Sequence, residues 1–289
     1  MATGVTNTAA ENNLFAKIYA RAFLIARAQS VMLPLVTVYN DSVGIEDRVF
    51  TQRAQATAQS VAEGTDYQSP DVLSKSQIAA LTPGEVMAQA KITRRELRND
   101  PTAREDAAQE LGSAMATKID QDLLSVFSSL TGGAGSTIGG AGVNLTWGHV
   151  LAGQVQLEAN NINGEMQCVL HNYQAHVLAK AVNLTQDLAG IPEAVKNGLA
   201  RKFWVGQYGG VTFYRSPNIT IDGSDDAIGG LFTPDAIAID FREMPMPLPE
   251  EWDQSARECE MNIYADYAYG VRRPKYGVPI KSDASVPTS

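Results

Sequence analysis

The sequence of 289 residues predicts a mixed α+β fold in which helices cover a central sheet. Three segments near the C-terminus place small or β-branched apolar residues at period two, which is typical of strands: Ile237 and Ile239, Ile263 and Ala265, and Val278 and Ile280. A long helix is predicted upstream of them at residues 101–130. Single short strands alternate with helices between the long helix and the first of these strands, which favours the α+β class.

Composition and cysteine usage indicate neither a membrane protein nor a disulfide framework. Apolar runs fall short of the roughly 20 residues that a membrane helix needs, and residues 1–7 lack the basic region of a secretory signal. We therefore expect the protein to stay in the cytoplasm in which it is made. Cys168 and Cys259 lie far apart with no second pair, which predicts two reduced cysteines packed as small apolar residues and no metal site.

Residues 11–32 predict an amphipathic helix that ends before Pro34. Its apolar residues recur at spacings of three and four, and three cations punctuate the other side: Lys17, Arg21 and Arg27. Three cations without a tryptophan are a weak signal for a membrane-surface helix. Packing on the protein body or on a partner is therefore favoured.

Residues 49–93 predict a long β-hairpin that is poorly buried. Two segments alternate, residues 49–58 and 85–93, but many of their apolar positions are only alanine. The polar stretch between them, residues 63–71, is rich in turn formers. Because an isolated two-stranded ribbon is marginal in water, we expect the hairpin to project from the body and to be buried elsewhere. The alternative is a surface hairpin folded back on its own domain.

The strongest helix prediction begins at Asp100 and Pro101, which suit the cap and the first turn. A helix over residues 101–130 would be roughly 45 Å long. Only one stripe is apolar and Gly112 interrupts its centre, which favours a helix lying across a sheet over a coiled coil. We expect the stripe to be buried, and its members are Ala103, Ala107, Leu111, Met115, Ile119, Leu123, Val126, Phe127 and Leu130.

Residues 132–142 are rich in glycine and predict a flexible linker rather than a phosphate-binding loop. They follow a helix instead of a strand and lack the Gly-Lys-Ser/Thr ending of the phosphate-binding motif. Beyond them Thr146 is a predicted helix cap. The patterns then predict a helix, a buried strand, a second helix and a second strand at residues 147–159, 167–170, 173–182 and 211–215.

The sequence assigns no catalytic, cofactor-binding or metal-binding residue. His171 and His176 are five positions apart, which does not place them on one helix face as a metal-binding His-Glu-x-x-His motif does, and His149 is the only other histidine. No serine has the glycines of a nucleophile elbow, and neither cysteine lies in a recognisable catalytic sequence.

The net charge of −9 comes from one stretch of the chain. Residues 216–260 contain eleven acidic residues against two arginines, so the rest of the chain is neutral overall. Tight binding to nucleic acid needs a concentrated basic surface, and the sequence indicates none.

The C-terminal segment Tyr269-Gly270-Val271-Arg272-Arg273-Pro274, with the short strand that follows it, resembles the end of tailed-bacteriophage major capsid proteins. These proteins have the Hong Kong 97-like fold, which encapsulins and herpesvirus capsid floors share. The order of predicted parts matches that family over most of the chain. The resemblance implies an N-terminal arm at residues 1–45, an extended loop at 46–93, a peripheral domain with the long spine helix at 94–144 and 236–269, and a mixed α/β axial domain at 145–235 and 270–289.

The same resemblance implies a major capsid protein that self-assembles through hexamers and pentamers into an icosahedral shell around the double-stranded DNA of a phage. A separate scaffolding protein is the expected partner, because no further domain of about a hundred residues precedes the arm. A portal and a decoration protein are further candidate partners. We expect the protein in the virion, and in the host cytoplasm during assembly, with no membrane contact and no sequence-specific DNA binding.

Several alternatives stay open at this point. An encapsulin-like shell around a cargo enzyme and, more remotely, a soluble hydrolase are the competing functions. The acidic stretch is either a shell surface to which DNA does not adhere or a solvated face that aids solubility. Lys75 in the extended loop is either available for an isopeptide crosslink or an ordinary solvated lysine.

Overall fold

A computed structural model describes residues 30–40, 47–54, 56–58, 60–65, 71–132, 137–162, 164–184, 207–208 and 210–288. The predicted helix at residues 11–32 lies outside this part of the chain except for its last three residues, which are not helical. In the described ranges no helix is both long and apolar enough to cross a membrane.

The regular elements agree with the α+β prediction, because runs of strands lie at both ends of the described chain and the α-helices lie between them. The helices are α1 (Arg94–Asn99), α2 (Ala103–Ser125), α3 (Trp147–Ala159) and α4 (Asn172–Leu184), with short 3-10 helices at Leu33–Leu35, Val126–Ser129 and Pro274–Tyr276. The strands are β1 (Thr37–Tyr39), β2 (Arg48–Arg53), β3 (Lys75–Leu81), β4 (Gly84–Thr93), β5 (Ile138–Gly139), β6 (Met166–His171), β7 (Gln207–Tyr208), β8 (Val211–Ser216), β9 (Asp226–Phe232), β10 (Ile237–Pro247), β11 (Glu251–Asp253), β12 (Glu258–Val271) and β13 (Gly277–Asp283).

The first sheet has five strands and is centred on β12. β4 pairs antiparallel with β12 along one edge, and β10 followed by β11 pairs with the other edge. β1 extends the sheet as the parallel neighbour of β10. From Glu258 to Tyr267 the residues of β12 alternate between partly exposed and buried, and the buried ones form one core with the apolar stripe of α2. The long helix therefore lies across this sheet, as its single stripe predicted.

The boundaries of the long helix differ from the prediction by a few residues at each end. The helix begins at Ala103 rather than Pro101, and the Asp100 carboxylate accepts hydrogen bonds from both the N–H and the hydroxyl of Thr102 at 2.8 Å. It ends at Ser125 and continues as the 3-10 helix Val126–Ser129. Every residue of the predicted stripe is buried except Ala107, which is partly exposed.

The second sheet has six strands in the order β5-β13-β9-β6-β8-β7. Successive residues of β9 lie on opposite faces of the sheet. Gly230 contacts the Phe127 ring on one face, and Leu231 contacts α3 at Gly153 on the other. The predicted strands and helices at residues 147–215 are present with small shifts in their ends. Thr146 precedes α3, as predicted, and its N–H donates to His149 Nδ1 at 3.3 Å.

Part of the predicted glycine-rich linker is an ordered strand. Ile138 and Gly139 form β5, which runs parallel to β13 and begins the second sheet. Gly139 has a φ of 81°, and a Cβ there would collide with the carbonyl oxygen of Lys281. The glycine is therefore required by a close backbone approach as well as by its left-handed conformation.

The predicted pairing of the hairpin is wrong. β2 pairs antiparallel with β3, whereas β4, expected as the returning strand, joins β12 in the first sheet. The physical reason lies in β4 itself, because its inward residues Val86, Ala88 and Ala90 pack against the core beneath α2. Small alanines suit a strand that lies close beneath a helix.

Candidate functional site

The most exposed regular feature is the hairpin, defined here as β2, β3 and the residues between them. Every described residue from Thr51 to Gln77 is exposed. Apolar side chains are among them, and Val72 is 82% and Leu73 52% accessible. Two backbone N–H groups are tied across the connection, from Ala54 to the carbonyl of Ser74 at 2.9 Å and from Thr57 to the carboxylate of Asp71 at 2.6 Å. Between Thr51 and Gln77 the hairpin thus has defined backbone pairing but no core of its own.

The root of the hairpin is fixed to the first sheet. Leu81 is buried in a small cluster with Ala238 and Ala268, against which Phe50 packs. The Arg48 Nε donates to the Asp240 carboxylate at 2.9 Å, and Asp240 is almost completely buried. The hairpin therefore projects from a rigid base, which supports the predicted projection from the body.

A cleft of about 390 Å³ lies between the hairpin root and the segment that leads into β13. Its lining residues include aromatic, aliphatic and cationic side chains and no carboxylate: Phe50, Thr51, Gln52, Ile78, Thr131, Arg272, Arg273, Pro274, Lys275 and Tyr276. The Arg272 guanidinium lies 5.6 Å from the centre of the Phe50 ring, and the Arg273 guanidinium lies 5.0 Å from that of Tyr276. Such distances permit cation–π attraction, which orients both arginines.

Most of the acidic residues in the stretch 216–260 form ion pairs, although the side chains of Asp222 and Asp235 stay about half exposed. Seven of its acidic residues form ion pairs with cations that lie outside the stretch, as in the pairs of Asp240 with Arg48 and Glu250 with Arg104. The remaining pairs join Asp222 and Asp226 to Lys281, Asp235 to Arg272 and Arg273, and Glu258 and Glu260 to Lys91. The fold therefore divides the acidic sequence among several sites instead of presenting one acidic face.

The cysteines are buried and reduced, as predicted. Cys168 and Cys259 are free thiols with no accessible surface. Burial raises the pKa of the Cys168 thiol far above its usual range, and burial together with Glu250 raises the pKa of Cys259 to about 11. A thiol that stays protonated is a poor nucleophile, so both cysteines act as core residues.

Two of the three histidines accept hydrogen bonds from backbone N–H groups. His149 accepts the Thr146 N–H at the start of α3, and His176 lies exposed on α4. His171 is buried at the end of β6, where its Nδ1 accepts the N–H of Tyr173 at 3.2 Å. Among the described residues, no group of three or more histidine, cysteine or acidic side chains is arranged to hold a metal ion.

We expect His171 to make stability depend on pH. Burial lowers the pKa of its imidazole below 6.5, so the unfolded chain binds more protons than the folded one as the pH falls through that value. Unfolding free energy should therefore decrease between pH 7 and pH 5. His171→Asn, whose Oδ1 takes the place of Nδ1 as acceptor, should show a smaller decrease in urea titrations. Equal pH slopes in the two proteins would assign the acid sensitivity to other groups.

Lys75 begins β3, where it is exposed and is the register partner of Arg53. Its place at the distal end of the paired strands keeps the amine accessible. A crosslink at Lys75 stays a prediction.

Two buried polar residues that join distant elements were not identified from the sequence. Asp120 of α2 accepts four hydrogen bonds from residues far away in the chain. Gln174 of α4 is fully buried, accepts the His171 N–H, and donates to the Ala227 carbonyl and the Ser282 hydroxyl. In the sequence each of them appears only as a polar residue at a helix position that faces the core. That position does not reveal which distant residues it bonds.

Comparisons with known proteins agree with this geometry. The family model described as phage capsid protein matches residues 88–280. No curated protein matches the sequence. A structure from Mycobacterium phage Che8 aligns with a TM-score of 0.67 at 17% identity, covering 87% of this chain and 91% of that one.

Two further solved structures show the same fold at low identity. The capsid of Ralstonia phage GP4 aligns with a TM-score of 0.67 at 14% identity and covers 88% of both chains. The capsid asymmetric unit of Cyanophage Pam1 aligns with a TM-score of 0.68 at 10% identity, covering 90% of this chain and 93% of that one. These alignments extend the likeness in fold beyond the residues that the family model matches.

Proposed function

This chain belongs to the phage capsid protein family, and from that premise we propose that its copies assemble through hexamers and pentamers into an icosahedral shell around double-stranded DNA. The observation that carries the proposal is the hairpin, whose described residues from Thr51 to Gln77 are all exposed. A two-stranded ribbon without a core is marginal in water. Burial of Val72, Leu73 and their neighbours against another copy would stabilise it.

Closed rings of five and six copies require heterologous contacts, in which one surface of each copy meets a different surface of the next. A hairpin that projects from a fixed root supplies one such surface. We further propose a separate scaffolding protein, a portal and a decoration protein as assembly partners, and packaged DNA that is held without sequence-specific contacts. Assembly would take place in the host cytoplasm. No catalytic role is part of the proposal.

The proposed domains keep the boundaries implied by the resemblance with two changes. The pairing of β5 with β13 supports moving residues 137–144 to the axial domain. The pairing of β4 with β12 supports moving residues 84–93 from the extended loop to the peripheral domain. The proposed parts are then the arm at residues 1–45, the loop at 46–83, the peripheral domain at 84–136 and 236–269, and the axial domain at 137–235 and 270–289. Limited proteolysis of the free protein should cleave first within residues 54–74.

The test is to express the chain alone and together with the other head-assembly proteins of its own phage. Sedimentation velocity and negative-stain electron microscopy should show closed shells in at least one of the two preparations. Nucleic acid inside particles from infected cells supports the phage role, whereas an enclosed enzyme would support an encapsulin-like shell. Monomers alone at high concentration, with all partners present, would contradict the proposal.

Shortening the hairpin should separate assembly from folding. Residues 55–73 can be replaced by Asn-Gly, because Ala54 and Ser74 are hydrogen-bonded across the ribbon and Asn-Gly closes two-residue hairpins. We expect the midpoint of urea unfolding to change little and shells to be absent. The pair Val72→Ser and Leu73→Ser is the matched control for chain length, and it should weaken assembly without shortening the loop. Loss of cooperative unfolding would instead show that the loop belongs to the core of its own domain.

A further inference from the structure

The cleft beside the hairpin root carries excess positive charge. Arg272 and Arg273 share one carboxylate, that of Asp235, at 3.0 and 3.4 Å. Lys275 is exposed at the rim and forms no ion pair within the described residues. Three cations against one carboxylate leave two positive charges for a ligand. The aromatic and aliphatic lining also gives such a ligand an apolar contact surface.

The strands β9 and β13 form an antiparallel ribbon that begins beside the cleft, and the far end of this ribbon is acidic. β9 and β13 pair antiparallel from Gly277 opposite Phe232, next to the cleft, to Asp283 opposite Asp226. Six residue steps in an antiparallel strand separate the two ends by about 20 Å. The acidic end is defined as Asp222, Asp225, Asp226 and Asp283, and its one cation among the described residues is Lys281, whose ammonium pairs with Asp222 and Asp226. Three negative charges are therefore in excess.

The acidic end is held in a fixed shape. The Asp222 carboxylate accepts the N–H groups of Ser224 and Asp226 at 2.8 and 3.0 Å, and the Asp225 carbonyl accepts the N–H of Ala284 at 2.7 Å. Asp225 is exposed and has a φ of 59°, so its carboxylate projects from a tight turn. A preformed acidic turn loses little freedom on binding, which favours its use as a contact.

We propose that the acidic end of one copy docks into the cleft of a neighbouring copy, so that the ribbon of β9 and β13 connects successive subunits of a ring. This inference rests on the proposed shell function and names the contact that orders the ring. Two different surfaces of opposite charge on one molecule are what a head-to-tail contact requires. A phosphate group of DNA would neutralise the charge of the cleft but not that of the acidic end. A second copy neutralises both, so it is the favoured occupant.

The experiment exchanges charges between the two surfaces. Lys275→Glu and Asp225→Lys are made singly and together, because neither side chain has an intrachain ion pair to lose among the described residues. Lys275→Arg preserves the positive charge, and Asp225→Asn removes the negative charge while suiting the same backbone conformation. Urea unfolding of each purified monomer reports whether the variant is folded.

We expect each charge reversal to lower the fraction of chains in shells by about tenfold or more, with the double variant restored to within about twofold of wild type. Lys275→Arg should assemble normally, and higher salt should weaken assembly of the wild type because the contact is electrostatic. Normal assembly of both single variants, or a folded double variant as defective as either single one, overturns the inference. Normal shells that lose DNA in Lys275→Glu also overturn it, since the cleft would then hold phosphate. A wild-type chain that never assembles overturns the proposed function itself.

Discussion

Phe127→Ala is expected to lower the free energy of unfolding by about 3–5 kcal/mol, which is a large part of the roughly 5–15 kcal/mol that a typical domain has. Phe127 is fully buried in the 3-10 helix that continues α2. Its ring centre lies 5.5 Å from that of Phe232, and this short helix contacts β9, β12 and β13, where the two sheets meet. Urea titration with an unchanged slope measures the loss.

Gly230 provides a matched test of the same contact. A Cβ at Gly230 would lie 2.7 to 2.9 Å from three atoms of the Phe127 ring, so Gly230→Ala alone should be destabilising. In the Phe127→Ala background the added methyl meets the vacated space. We therefore expect the double variant to lose about 1–3 kcal/mol less unfolding free energy than the sum of the two single losses.

Gln109→Ala is the control on the exposed face of α2 and should change stability by about 0.5 kcal/mol or less. If Phe127→Ala proved as harmless as Gln109→Ala, the end of α2 would not join the two sheets. Additive losses for Phe127→Ala and Gly230→Ala would likewise contradict the close packing of this pair.

The long helix and the C-terminal strands were predictable because their signals are local. The stripe from Ala103 to Leu130 repeats at helical spacing, and its burial needs only one apolar face against any sheet. The alternation at Ile237 and Ile239 indicates a strand whatever its neighbours are. In both cases the repeat of apolar residues that predicts the element lies within a short stretch of sequence.

Strand pairing was not predictable in the same way. β3 contains Lys75, Ser76 and Gln77 before its apolar residues and has no clear alternation, so the returning strand of the hairpin was missed. β4 alternates well, but the choice between β2 and β12 as its partner depends on a core built by residues more than 150 positions away. Pairing of strands is set by packing across the whole fold, which periodicity does not contain.

For the proposed assembly surfaces, too, some features follow from the local sequence and others only from the whole fold. Exposure of the hairpin follows from its small and polar side chains, whereas the cleft exists only because the segment before β13 returns to the hairpin root. The eleven acidic residues of one stretch suggested a single face, but seven of them pair with cations at residues 48, 91, 104, 272, 273 and 281. Charge counting along the chain cannot supply those partners.

Asp120→Ala is expected to destabilise the protein by at least about 3 kcal/mol, because it leaves several buried donors without an acceptor. Asp120 is completely buried on α2. Its Oδ1 accepts the Ser30 hydroxyl at 3.1 Å and the Met32 N–H at 2.8 Å, and its Oδ2 accepts the Ser216 hydroxyl and the Asn218 amide, both at 3.0 Å. One carboxylate thus joins the N-terminal segment, the long helix and the turn after β8.

Hydrogen exchange at the Met32 amide separates loss of this anchor from general destabilisation. In Asp120→Ala the Met32 amide should exchange faster by more than the loss of global stability accounts for, while the amide of Val169 in β6 should follow global stability alone. Asp120→Asn keeps one oxygen acceptor but turns a donor toward the Asn218 amide, so its loss should be intermediate. Because residues 1–45 are the proposed arm, a folded Asp120→Asn variant that fails to form shells would show that assembly depends on how Asp120 holds Ser30 and Met32. Unchanged stability and unchanged Met32 exchange in Asp120→Ala would mean that the carboxylate is not the anchor of this segment.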